Sequence, residues 1–270
     1  VIKFDLAERV KQLRRSRRPI VLPKIATTQA QASNLASIYR KVIAAWQSGL
    51  DRINAAYAKS LNELQMDSAD DIRSALDAVQ AEVQRLILML TPELREWAFQ
   101  VERIHRGQWA QSVLSASDVD LNTILTAGDV EETLASVIEW NVALVRDVDA
   151  ELQRRIANAV FVGLQQRKAA VDVAKEIREA VPISRARSIR IASDQTVKLG
   201  ARLNRARREQ AGIGQYKWRH SGKAHPRSWH LARNGIIYKN QDPRIPPDDR
   251  AGIPPFCGCT EQAVITLDDQ

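Results

Sequence analysis

Residues 35–64 set the strongest constraint on what this chain can fold into. Leu35, Ile38, Tyr39, Val42, Ile43, Trp46, Leu50, Ile53, Tyr57, Leu61 and Leu64 recur at spacings of three and four, which makes one apolar stripe on a helix. The stripe outruns the ordinary helix of roughly 11–12 residues, so it predicts a bundle or an extended stalk. Similar stripes follow. Ser68 and Asp71 read as a capping box for a helix that buries Ile72, Leu76, Val79, Val83, Leu86 and Leu90. Thr91-Pro92-Glu93 restarts a helix, with Pro at the first helical position and an acid in the first turn. Asp129, Glu131 and Glu132 open another, with Leu134, Val137, Ile138, Asn141, Val145, Val148, Leu152, Ile156 and Val160 inward. Trp46, Trp97 and Trp140 lie on such stripes and are expected in the core.

Breaks in the pattern suggest four segments. Pro19 and Pro23 stop any helix from continuing, so residues 1–27 read as a basic, extended N-terminal arm. Residues 28–128 form a helical domain, with a Ser- and Asp-rich boundary at 115–128. Residues 129–211 form a second helical region. Here Pro182 is expected to end one helix and Ser184 to cap a very basic one. In residues 212–270 the character changes. Tyr216–Trp218, Ile236–Tyr238 and Val264–Ile265 are strand-like, Asn234-Gly235 is a turn, and five prolines lie between 243 and 255. The expected fold is therefore mainly α, an elongated helical body with a small α+β C-terminal module.

The net charge of +8 is strongly segregated. Residues 1–24 hold eight basic and two acidic side chains, residues 25–184 hold 16 and 22, and residues 185–233 hold 13 and two. Such clustering fits a polyanionic partner, double-stranded DNA above all, bound without sequence readout. The candidates are Arg14, Arg15, Arg17 and Arg18 in the arm, and Arg202, Arg205 and Arg208 at spacing three on the basic helix. An acidic protein surface is the other partner that this pattern admits. No run approaches the roughly 20 apolar residues of a membrane span. The basic N-terminus lacks the apolar core of a secretory signal, and Val1 in place of an initiator Met implies trimming, processing or an earlier start.

His220, His225 and His230 lie within eleven residues and precede Cys257-Gly258-Cys259, the only cysteines. Two cysteines are too few for a disulfide framework. Thiolate and imidazole are the preferred ligands of tetrahedral zinc. A proline-rich module with few core residues is the kind of fold a metal staples, and Gly258 permits a bend that brings both thiols to one ion. Reduced core thiols with solvent-facing histidines are the alternative. No phosphate-cradling loop, Gly-x-Ser-x-Gly elbow or Walker lysine occurs, so an enzyme is not expected. A zinc-dependent nuclease or hydrolase is the alternative kept open.

From about Trp140 to Ile265 the chain resembles the phage Mu protein F family of minor head and head-morphogenesis proteins. The matching elements are Asn141-Val142-Ala143-Leu144, Gly163, Ser184-Arg185-Ala186-Arg187, Ile191-Ala192-Ser193-Asp194-Gln195, Gly212-Ile213 and Tyr216-Lys217-Trp218. Arg227-Ser228-Trp229-His230, Asn234-Gly235 and Pro254-Pro255-Phe256-Cys257-Gly258-Cys259 follow in order. The family commonly has an acid where this chain has Lys223, and an Arg where it has Gly258. The resemblance supports a structural zinc on Cys257, Cys259 and His230. His225, where the family tends to have Arg, is added from this sequence as the fourth ligand. The resemblance also implies a structural minor head protein, present in several copies inside the phage head and in the host cytoplasm during assembly. Expected partners are the portal protein, the major capsid protein and packaged DNA, with genome delivery as a further role.

Overall fold

The computed structural model describes residues 3–13, 18–62 and 68–267. Its helices are α1 (Leu6–Leu13), α2 (Gln29–Asn62), α3 (Ser68–Met89), α4 (Thr91–Ser117), α5 (Glu131–Gln165), α6 (Ala170–Gln210) and α7 (Ser228–Ala232). Its strands are β1 (Ile20–Val21), β2 (Gln215–Arg219), β3 (Ile237–Lys239) and β4 (Thr260–Ile265). The mainly helical class with a small sheet-bearing C-terminal module is borne out. Among the described residues, no helix is long and apolar enough to cross a membrane.

The chain divides into two compact units built from separated segments. One holds Ser33–Glu96 and Ile138–Ala192, the other Val1–Ala32, Trp97–Val137 and Ser193–Gln270. The units do not follow the four consecutive segments 1–27, 28–128, 129–211 and 212–270.

In the first unit the stripe of α2 is buried from Leu35 to Tyr57. Several buried polar groups in this core are matched to each other, because an unpaired one costs a few kcal/mol. The buried Asp149 carboxylate accepts the Trp46 indole N–H at 2.7 Å and the Gln80 and Gln84 amides at 3.0 and 2.7 Å. Tyr39 donates to Asn141 Oδ1 at 2.8 Å. Gly49 lets α2 approach α3, since a Cβ there would lie 2.5 Å from Val79. Trp140 departs from expectation: it is 54% exposed, on the outward side of α5. Pro182 also fails to end a helix. It sits inside α6, and Ser184 is an interior residue there rather than a cap.

In the second unit the sheet order is β1-β4-β2-β3, all antiparallel. Tyr216 and Trp218 of β2 point to one face, with Tyr238 of β3 paired to Tyr216. The extended-arm expectation is overturned. Phe4, Leu6, Val10, Leu22 and Ile25 are buried in one core with Trp109, Val113, Leu121 and Ile265. Lys3 and Phe4 donate backbone bonds to the Gln210 carbonyl, and Leu22 donates one to Ala263. Pro19 and Pro23 flank β1 at the sheet edge, where a missing N–H costs no ladder bond.

Candidate metal centre

β2 ends at Arg219, and the chain then runs through an exposed loop to the short helix α7, which turns His230 inward. β4 begins at Thr260, immediately after Cys259. Three donor groups thereby meet: His230, Cys257 and Cys259, all buried, with ligand atoms within 4.8 Å of one another. His230 Nδ1 lies 3.5 Å from Cys257 Sγ and 3.7 Å from Cys259 Sγ. Zinc bonds of about 2.3 Å to sulfur and about 2.05 Å to nitrogen, at a tetrahedral angle, put S and N about 3.6 Å apart. The donor set and its spacing fit that ion.

His230 Nε2 faces Asp249 Oδ1 at 2.9 Å. With Nε2–H donating to this carboxylate, the Nδ1 lone pair is left toward the sulfurs, the arrangement that orients metal-binding imidazoles. Asp249 is held in turn by Arg233 at 2.7 Å and by the Trp229 indole N–H at 3.4 Å. Burial works to raise its pKa, but these bonds, with His230's, outweigh it and hold the carboxyl below its usual range.

The two thiols act on each other. The hydrogen bond from Cys259, helped by the backbone N–H groups of Cys259 and Gly252, lowers the Cys257 pKa against the effect of burial. The same bond, followed by burial, raises that of Cys259. One thiolate is therefore favoured beside one thiol, and a cation would take the place of the remaining proton. Trp218 Nε1, buried without a partner in bonding geometry, acts on Cys259 in the direction that favours its thiolate.

The loop bearing the cysteines is fixed from outside. Phe256 adopts φ 58°, in the left-handed region, and its N–H donates to Asp194 Oδ1 of α6 at 2.6 Å. Lys223 Nζ donates to the Phe256 carbonyl at 2.8 Å. Gly258 is not in the left-handed region; it is required by space, because a Cβ there would lie 2.9 Å from Ser221 Cβ and 3.1 Å from Lys223 Cε. Lys223 and Gly258, two of the departures from the family pattern, are thus neighbours.

His225 does not join the group. It is exposed on the loop before α7, and His220 instead accepts the Gly222 N–H through Nδ1. Asp249 and Asp194 were missed by a search for ligand types, because neither is a ligand. The signals they carried were the Pro-Asp-Asp of the 3-10 turn Pro247–Asp249 and the Asp-Gln of the family-like helix.

The expected DNA-binding residues divide differently. Arg14, Arg15 and Arg17 lie outside the described residues, and Arg18 is exposed just before Pro19. Arg202 is half-buried on α6. Arg205 and Arg208 share a side of α6 as the spacing requires, but that side turns inward. Both pair with Glu261 of β4, at 3.2 and 2.7 Å, and Arg208 also bonds Asn240 and covers the Tyr216 ring. Glu261 offsets one of their two charges, and both guanidinium groups are directed into the fold rather than toward a free surface.

An uncharacterized protein of Haemophilus influenzae is 27% identical over 168 residues, covering 62% of this chain and 37% of that protein. The chain therefore spans little more than a third of that relative's length. No solved structure matches. Residues 152–262, from within α5 to β4 and including all three donor residues, match the family described as Phage Mu protein F like protein, so the likeness expected from the sequence is borne out over this part of the chain.

Proposed function

We propose that this chain is a structural minor head protein of a tailed phage or a related gene-transfer particle, with a C-terminal module held closed by one structural zinc ion. The observation that carries this reading is the coincidence of the family match with the buried His230–Cys257–Cys259 group. The residues that would hold the zinc are these three, with Asp249 orienting His230. The ion would supply a cross-link between α7 and the start of β4, worth folding free energy in a module with few core side chains. In this reading the protein sits inside the head and acts in morphogenesis, against portal or major capsid protein. The net charge of +8 supports contact with packaged DNA.

A zinc-dependent hydrolase is favoured by one feature, a group of three protein donors rather than four. Against it, the donors are buried and packed among Tyr216, Trp218, Tyr238 and Ile245. Quantitative mass spectrometry of purified particles tests the proposal: the chain should be present at a fixed ratio well below that of the major capsid protein. Particles lacking it, or metal-dependent DNA cleavage by the purified chain, would replace the structural reading.

A further inference from the structure

The unit formed by Ser33–Glu96 and Ile138–Ala192 carries a groove that neither the metal centre nor the head-protein reading uses. Leu50 and Asn54 of α2 line it opposite Val181, Pro182 and Ile189 of α6, and its volume is about 590 Å³. Its floor is apolar, and Ile189 remains 43% exposed. Two acceptors are left in it. Asn54 Oδ1 is buried with no hydrogen-bond partner. Pro182 has no N–H, so the Arg178 carbonyl lacks the donor an unbroken helix would give it.

The rim supplies the charge. Arg178 and Arg185 are exposed and have no ion-pair partner among the described residues, and Asp51 is the one acid that lines the groove. Seven residues separate the two arginines, which is about two helical turns or 10 Å along the axis. Carboxylates seven residues apart on an opposing helix match that spacing. Apolar side chains at the intervening third and fourth positions then fall between the arginines, level with Val181 and Pro182, and one at the eleventh reaches Ile189, a turn beyond Arg185.

We propose that this groove docks an acidic amphipathic helix of a partner protein, with carboxylates at i and i+7 on Arg178 and Arg185 and apolar side chains at i+3, i+4 and i+11 on the floor. Charge complementarity selects this occupant: two unpaired cations flank an apolar floor, and a basic or purely apolar helix would leave them desolvated and unmatched. The inference stands on unit-internal residues and does not depend on zinc or on assembly.

The probe is a labelled, stapled helical peptide of roughly 15 residues, long enough to present every contact position, with Glu at i and i+7 and Leu at i+3, i+4 and i+11. A control carries Lys in place of both Glu. Fluorescence anisotropy with the full chain should show the Glu peptide binding about tenfold or more tighter than the Lys peptide, corresponding to about 1.4 kcal/mol, and weakening with salt. Arg178→Glu with Arg185→Glu should invert the preference, and Arg178→Gln with Arg185→Gln should erase it, with circular dichroism unchanged. Ile189→Asp should abolish binding of the Glu peptide. Equal binding of the two peptides, a preference that survives the charge reversal, or full binding to the Ile189→Asp chain would each overturn the proposal.

Discussion

The Asp194 carboxylate accepts the Phe256 backbone N–H at 2.6 Å, and Phe256 stands at φ 58° directly before Cys257. A left-handed conformation at a bulky residue costs on the order of 1–3 kcal/mol and persists only where its surroundings enforce it. Asp194 is 8% exposed, and its other oxygen is held by Lys198 at 2.7 Å, so the carboxylate is a fixed anchor. Removing it with Asp194→Ala should weaken zinc retention about 10- to 100-fold, as loss of an outer-shell partner does. Adding Phe256→Gly, which adopts that φ freely, should recover most of the loss. Competition with a chromogenic chelator measures both. A double variant as weak as Asp194→Ala would show that the anchor does not act through Phe256.

Arg207 is enclosed, with Glu102 at 2.6 Å and Asp129 at 3.3 Å. Glu102 is itself 1% exposed, so Arg207→Met leaves a buried charge with only the longer Arg106 contact at 3.4 Å and should cost about 3 kcal/mol in urea unfolding. Changing Glu102→Leu in the same chain should restore a large part. Arg208→Gln should likewise lower stability, because it strips Glu261 of its closest cation. In DNA binding the log–log salt slope should not change with Arg208→Gln; a slope shallower by about 0.9 would mean that Arg208 reaches a phosphate after all.

His105 is buried, with Nε2 against Asn204 Oδ1 at 2.9 Å and Nδ1 unpartnered. Burial above all lowers its pKa to about 4. The unfolded chain then binds a proton near pH 6.5 that the folded chain refuses until about pH 4. Stability should therefore be fully present above pH 6.5 and fall as pH drops through that window, by roughly 3 kcal/mol at most from this residue. Chemical unfolding at pH 7 and pH 4.5 should show a smaller difference for His105→Gln than for the parent chain. An equal difference in both would assign the acid sensitivity elsewhere.

Two tryptophans should behave oppositely. Trp46→Ala removes a buried ring and the N–H that Asp149 accepts, and should cost about 3–5 kcal/mol. Trp140→Ala, on an exposed side of α5, should stay within about 0.5 kcal/mol. Thermal unfolding decides, and a large loss at Trp140 would place it in a packed site.

The helices were legible because spacings of three and four persist over many turns, and α4 begins at the Thr91-Pro92 restart. Orientation was less so. The Arg205 and Arg208 spacing fixes a shared face, but the face is decided by Glu261, which lies 56 and 53 residues away in sequence. In the N-terminal segment eight basic residues masked the apolar set Phe4, Leu6, Val10, Leu22 and Ile25, which packs into the core. Pro182 removes a single N–H, and the packing of α6 on both sides of it holds the helix through that loss. At the metal centre the donor types identified Cys257, Cys259 and His230. His225 was chosen by nearness in sequence, and the loop before α7 carries it to the surface.

Zinc content of the purified full chain is the most direct test of the metal-stapled module. Elemental analysis should find about one zinc per chain, lost with Cys257→Ser and with His230→Ala and retained with His225→Ala. Chelation should lower the melting temperature of the parent chain. A metal-free chain whose C-terminal module is folded and indifferent to both zinc and chelator would contradict it.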